Sequence, residues 1–278
     1  MDTHRSVQPR PGPRVPRPRR SPASGTPRPA LTVILPCYNE AGRLPGTLGA
    51  YLEHLSRTPG EVEVLIVDDG STDATVAVAE AAAATDPRVR VLRGARNHGK
   101  GFAVRTGILA AAGELVVFTD ADGSYAPEEL DSVVRALAEA PVAIGTRAVA
   151  APAPLTRRVA SRAFNLAIRR AVGLPFHDTQ GGLKGFRRAA AQEIFSRATI
   201  DGYAFDVEVL LLARRLGLEV VEVEVRAAER PGSKVRMSVD AQRMLGEVLA
   251  LRRAPLREVG GAAEPIRPPV AAAALRGR

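Results

Sequence analysis

The sequence predicts an α/β fold, a mainly parallel sheet flanked by crossover helices; one pattern predicts it, and two further observations bound what the domain is. From Leu31 onward, short β-branched runs alternate with longer, alanine-rich amphipathic segments. No window reaches the ~18 uninterrupted apolar residues that a membrane span needs, so any membrane contact is expected to be peripheral. The single cysteine, Cys37, excludes an internal disulfide and a cysteine zinc site, which leaves packing to hold the fold and a reducing compartment as its natural home. The chain has 278 residues, 45% apolar and 25% charged, a balance that excludes wholly disordered, collagen-like and multispanning chains.

The elements follow in chain order. Residues 1–29 hold seven arginines, eight prolines and one acid, Asp2, so this stretch carries +6 of the net charge of +9. No apolar run follows its basic residues, so it lacks the core of a secretory signal and reads as a disordered, extended tail. Its charge permits weak attraction to anionic lipid or nucleic acid, and a tail without function is the equal alternative. The folded domain is expected over residues 30–252, with a flexible C-terminal tail over 253–278. Its first strand is Leu31 to Pro36, followed by a helix over Leu44 to Leu55. A strand over Glu61 to Val67 leads to the alanine-rich helix Asp73 to Ala84, and a strand over Val89 to Arg93 leads to the helix Gly101 to Ala112. The apolar run Glu114 to Thr119 is the next strand, and Pro127 opens a helix to Ala140, where proline suits the first helical position. Strands over Pro141 to Gly145 and Leu218 to Val225 complete the sheet. Between them, Leu155 to Leu174 combines Leu155, Val159, Phe164, Leu166, Ile168 and Val172 with five arginines, a basic amphipathic helix that suits either a membrane interface or packing on its own sheet. There is no internal repeat.

Ligands of such sheets bind beyond the carboxyl ends of the strands. Those ends read Pro36-Cys37-Tyr38-Asn39-Glu40, Asp68-Asp69-Gly70-Ser71-Thr72-Asp73, Asn97-His98-Gly99-Lys100-Gly101 and Asp120-Ala121-Asp122-Gly123. Taken singly, each fits turn chemistry and helix capping. Asp120 and Asp122 differ, because they flank one small residue directly after an apolar strand and place two carboxylates at the sheet rim. Hard oxygens there suit a divalent cation, Mg2+ or Mn2+, shared with substrate phosphates.

Two nucleotide motifs compete and fail. Gly94 to Lys100 has phosphate-loop spacing, but Gly101 stands where a hydroxyl should hold magnesium. Gly99 and Gly101 match the first two glycines of a dinucleotide fingerprint, but Val104 takes the third place.

The four rim motifs together, in this order and spacing over about 120 residues, resemble the family 2 inverting glycosyltransferases of the GT-A fold. Asp178-Thr179-Gln180-Gly181-Gly182-Leu183-Lys184-Gly185-Phe186, Tyr203 to Glu208 and Pro231-Gly232-Ser233-Lys234 look most like the dolichyl-phosphate β-glucosyltransferase branch, with polyprenyl-phosphate mannose synthases as close relatives. The resemblance spans roughly Leu31 to Leu251. It implies that Pro36, Tyr38, Glu40, Val67, Asp69, Lys100, Asp120, Ala121, Asp122 and Arg147 bind a nucleotide sugar. It also implies that Asp122 ligates the metal, with Asp120 contacting metal or donor. Chemistry agrees, since a carboxylate accepts from a base ring N–H and an aromatic ring supplies a flat wall.

On the acceptor side the resemblance implies Arg147, Asp178, Gln180, Asp206, Arg230 and Lys234, with Arg230 and Lys234 also assigned to catalysis beside Asp120 and Asp122. A sugar hydroxyl needs a general base, whereas a lipid phosphate is already anionic and needs positive charge to orient it. Asp178 and Asp206 are the candidate bases, with a loop anchor or first-turn helix acid as the alternative for each. The expected reaction is transfer of a hexose, glucose from UDP-glucose first, to a polyprenyl or dolichyl phosphate at the cytoplasmic face of a membrane. The alternatives are GDP-mannose as donor, a soluble transferase acting on a hydroxyl, and a non-enzymatic scaffold for anionic surfaces. No nucleic-acid partner is expected. Gly181, Tyr203-Ala204 and Ser124 depart from the patterns of the two branches and leave the sugar open.

Overall fold

The computed structural model describes residues 28–147, 170, 173–228, 246–248 and 250. Within them, a seven-stranded sheet runs in the order β3-β2-β1-β4-β6-β5-β7. The strands are β1 (Leu31–Cys37), β2 (Val62–Asp68), β3 (Val89–Arg93), β4 (Leu115–Phe118), β5 (Val142–Arg147), β6 (Lys184–Arg187) and β7 (Val220–Val225). The helices are α1 (Leu44–Leu55), α2 (Thr75–Thr85), α3 (Lys100–Ala110), α4 (Pro127–Ala136), α5 (Arg188–Phe195) and α6 (Phe205–Arg215). All six predicted strands and the four helices predicted within these residues are present. The helix expected over Leu155 to Leu174 falls almost wholly outside the described residues, as do both tails.

Both faces of the sheet are covered, which is why its central strands β1, β2 and β4 read as mainly apolar runs. Along β1, Ile34 packs with Leu65, Val116, Phe118 and Phe186 under α3, α5 and α6. Its neighbours Val33 and Leu35 pack on the other face with Val64, Ile66 and Val117 under α1 and α4. Close approach of α3 needs Gly107, since a Cβ there would press on the Ile34 and Val67 side chains.

Register decides where the chemistry lies. Parallel pairing puts Cys37 opposite Asp68 and Ile34 opposite Phe118, so β1, β2 and β4 end on one rim. The exception is β6, which runs antiparallel between β4 and β5 and pairs Lys184 with Phe118 and with Ile144. Because it runs backwards, its first residue reaches the rim where its neighbours finish.

Sequence patterns left three of these elements unassigned. Strand β6 has four residues, Lys-Gly-Phe-Arg, all buried, and too short for a period-2 signal. Helix α6 is buried continuously from Phe205 to Ala213, so it has no polar face to mark a helical period, and α5 spans only eight residues. Strand β7 starts at Val220 rather than Leu218, because Leu218 N–H closes the end of α6 on Ala213 O at 2.9 Å. Gly217, at φ +69, turns the chain there. Helix α4 ends at Ala136, and its expected last turn is a run of mixed three- and four-residue hydrogen bonds through Ala140.

Candidate active site

The first two rim loops are laced to each other. Asn39, at φ +53, accepts from Thr72 N–H through Oδ1 at 2.8 Å, while its own N–H donates to Ser71 Oγ at 2.9 Å. Glu40 N–H donates to Thr75 Oγ1 at 2.7 Å, and the Glu40 carboxylate is held by Arg43 through Nε at 2.6 Å and Nη2 at 2.7 Å. Tyr38 and Pro36 stay half-buried beside them, whereas Val67 and Ala121 are buried and offer a ligand only their backbone.

Asp69 joins this unit to the loop before α3. Its carboxylate accepts from His98 N–H at 3.0 Å and Gly99 N–H at 2.7 Å. Burial pushes its pKa up, and these two amides partly offset that. Gly99 sits at φ +117, and a Cβ there would collide with Asp201 O, so only glycine lets α3 start at this point. The geometry delivers the next residue, Lys100, to the rim.

Lys100 Nζ meets Asp120 Oδ1 at 2.5 Å. Burial alone would pull the lysine pKa down, but the Asp120 and Asp206 carboxylates outweigh it and hold the ammonium well above its ordinary value. The two aspartates of the pair therefore part company. Asp120 is neutralised by Lys100, whereas Asp122 Oδ1 accepts from Ser124 N–H at 2.9 Å and Oγ at 2.5 Å. The second Asp122 oxygen has no partner among the described residues.

Three residues beyond the predicted set complete the wall around Asp120. A Cβ on Gly182 would collide with the Asp120 carboxylate, and Gly182 N–H donates to Tyr125 Oη at 2.9 Å. Tyr125 is buried, which pushes its phenol up to about 12 and keeps it protonated, although Arg147 pulls the other way. The third is Lys184, fully buried, with Nζ on Asp206 Oδ1 at 2.6 Å and on Gly181 O at 2.5 Å. Tyr125 lies three positions after Asp122, and Lys184 is one of only three lysines, each in a glycine-bearing motif, so both signals were present in the sequence.

On the other side of this wall Arg147 Nε binds Asp178 Oδ2 at 2.8 Å, and Gln180 N–H donates to Asp178 Oδ1 at 3.1 Å. Burial alone would raise Asp178, but Arg147 and Lys184 outweigh it and hold the carboxyl below its ordinary range. Gln180 Nε2 is buried without a hydrogen-bond partner. Asp206, only 6% exposed, is pushed up by burial and pulled back by Lys184 and Lys100. Both candidate bases are thus tied to cations. Arg230 and Lys234 lie outside the described residues. The last described residue before them, Ala228, donates its N–H to Ser124 O at 2.8 Å, beside the Asp122 loop.

The rim therefore holds Tyr38, Asp69, Asp120, Asp122, Asp178 and Gln180 on its loops, with Lys100, Arg147 and Asp206 at the ends of α3, β5 and α6 beside them. A separate groove of about 620 Å3, lined by Leu55, Gly60, Glu61 and Arg90 among others, opens at the opposite rim and shares no residue with them. Among the described residues, no group of three or more His, Cys, Asp or Glu side chains could hold a metal. The donor set fits a hard cation that takes Asp122 and completes its coordination from substrate phosphates, the usual arrangement for Mg2+.

Residues 32–195 match the Glycosyl transferase family 2 description. The chain is 40% identical over 224 residues to the dolichyl-phosphate beta-glucosyltransferase of Drosophila melanogaster, covering 74% of this chain and 69% of that one. It is 35% identical over 238 residues to the polyprenol monophosphomannose synthase of Mycolicibacterium smegmatis, covering 82% and 88%. Among solved structures it resembles glucosyl-3-phosphoglycerate synthase from Mycobacterium tuberculosis in complex with Mn2+, uridine diphosphate and glucosyl-3-phosphoglycerate. That match has a TM-score of 0.63 at 21% identity and covers 90% of this chain and 88% of that one. The fold is accordingly the GT-A fold, and the chain belongs to glycosyl transferase family 2 and is a glycosyltransferase.

Proposed function

We propose that this glycosyltransferase moves a hexose, glucose from UDP-glucose, onto a polyprenyl or dolichyl phosphate with inversion, as a peripheral enzyme on the cytoplasmic face of a membrane. The observation that carries the acceptor assignment is the state of the two candidate bases. Asp206 is buried on Lys184, and Asp178 is paired with Arg147 at a lowered pKa. Neither is placed to take a proton from a hydroxyl, so the acceptor has to arrive ionised, as a phosphate monoester does near neutral pH. The names of the similar proteins from Drosophila melanogaster and Mycolicibacterium smegmatis support the same acceptor class.

In this reading an acceptor phosphate oxygen attacks the anomeric carbon as the bond to the donor diphosphate breaks. Tyr38 and the loop fixed by Asp69 border the base, and Lys100 lies toward the diphosphate. Arg147, Gln180, Arg230 and Lys234 orient the phosphate groups. A divalent cation held by Asp122 would supply charge neutralisation of the leaving diphosphate. No described helix is long and apolar enough to cross a membrane. The basic tail then adds attraction to an anionic surface.

A second reading takes GDP-mannose with the same acceptor, favoured by the match that covers 88% of a polyprenol monophosphomannose synthase. Incubation with labelled UDP-glucose or labelled GDP-mannose, polyprenyl phosphate and Mn2+, with and without chelator, separates them. Labelled lipid from UDP-glucose alone, abolished by chelator, is expected; label from GDP-mannose alone selects the second reading, and label from neither refutes both.

A further inference from the structure

Two ion pairs, one half-buried and one buried, lie between β4, α3 and α6. Asp120 meets Lys100 at 2.5 Å and Asp206 meets Lys184 at 2.6 Å. The pairs also feel each other, Asp206 acting on Lys100 and Asp120 on Asp206. Lys184 has no exposure at all, and its second hydrogen bond goes to Gly181 O at 2.5 Å. The peptide held in this way continues into Gly182, whose Cα abuts the Asp120 carboxylate and whose N–H is fixed on Tyr125.

A fully buried ion pair is a poor device for stability alone, because apolar residues of the same volume do as well or better. Its place suggests what else it does. Lys184 sits at the rim only because β6 is antiparallel, and Asp206 sits there only because α6 starts against α3. A Cβ at Gly101, in the first turn of α3, would strike Ile200 O and press on Phe205 Cβ. Two elements far apart in sequence thus converge beneath Lys100 and Asp120.

We propose that Lys184 and Asp206 are positioning residues of the donor site. They fix the Lys100 ammonium and the Gly181-Gly182 peptide against Asp120, so that Lys100 meets the donor diphosphate already oriented. This inference rests on the reading that Lys100 faces the donor.

The test is calorimetric binding of UDP with Mn2+ to the full chain, together with donor KM and kcat. Removing one partner alone strands a buried charge, so the informative variant is the apolar double replacement Lys184→Met with Asp206→Leu. It is expected to melt within a few degrees of the wild type while UDP binds about tenfold more weakly. Donor KM is expected to rise by a similar factor, with kcat falling less. Glu63→Gln is the control, because Glu63 binds Thr32, Ala112 and Arg90 at the opposite rim. It is expected to lower the melting temperature and leave UDP affinity unchanged. If the double variant does not fold, Lys184→Met with Asp206→Asn, which also leaves no charge behind, supplies the same reading below its melting temperature. Wild-type UDP affinity and KM in a folded variant overturn the inference, as does equal weakening in Glu63→Gln. A wild type that binds neither UDP nor GDP overturns the underlying reading as well.

Discussion

Asp120 and Asp122 stand on one loop but in different surroundings, and this difference assigns their work. Lys100 neutralises Asp120, while Asp122 keeps one oxygen without a partner among the described residues. Asp122→Ala is therefore expected to lower transfer by about 100-fold or more, as for loss of a group that stabilises developing charge. The same variant is expected to lose the Mn2+-dependent part of UDP binding, and a titration with and without the metal checks both. A second residue-scale prediction concerns acid stability. Burial alone would raise Glu222, but His177 N–H and Nδ1 at 2.7 and 2.8 Å, with Thr146 Oγ1 at 3.0 Å, outweigh it and hold its pKa below the ordinary 4.5. A carboxylate depressed in the folded state stabilises fully above its unfolded pKa and loses that contribution as pH falls through the folded one. Glu222→Gln is thus expected to cost about 1 kcal/mol at pH 7, less for solvent screening, and progressively less as pH falls through the lowered folded-state pKa, measured by urea unfolding at each pH. The motif aspartates were legible in sequence because they end apolar strands. The spent state of Asp206 was not, since its partner Lys184 lies 22 positions away on another element.

At the scale of elements, glycines separate close packing from open surface. Gly101 lies in the first turn of α3 against Ile200 and Phe205, whereas Gly46 and Gly49 in α1 have nothing within 4 Å. Gly101→Ala is expected to destabilise the domain and weaken donor binding, because it lifts α3 and Lys100 from α6. Gly49→Ala is expected to raise stability by about 0.5–1 kcal/mol, the gain from helix propensity. Thermal melts of the two variants provide the comparison. The first four βα units were readable because each strand was an apolar run closed by turn formers. Strand β6 escaped because Lys-Gly-Phe-Arg, buried and antiparallel, carries the polar look of a loop. Its surrounding motif, Asp178 to Phe186, was nonetheless visible as a motif, so the site was more legible there than the fold.

Over the whole molecule, register gathers the chemistry at one rim and leaves the other rim to structure. Residues 1–29 carry +6 of the net +9, so the proposed attraction to an anionic surface would come from the tail and the transfer chemistry from the sheet. A chain starting at residue 28 is expected to keep its transfer rate in detergent and to lose its salt-sensitive binding to anionic vesicles, as sedimentation with neutral vesicles for comparison will reveal. The central claim is that the acceptor arrives already ionised, because both candidate bases at the rim, Asp178 and Asp206, are tied to cations. Its most direct test offers labelled UDP-glucose, and in parallel labelled GDP-mannose, to polyprenyl phosphate and to the matching polyprenol under identical conditions. Label in the phosphate lipid alone is the predicted result. Label in the polyprenol at a comparable rate would contradict it and return Asp206 to the role of base.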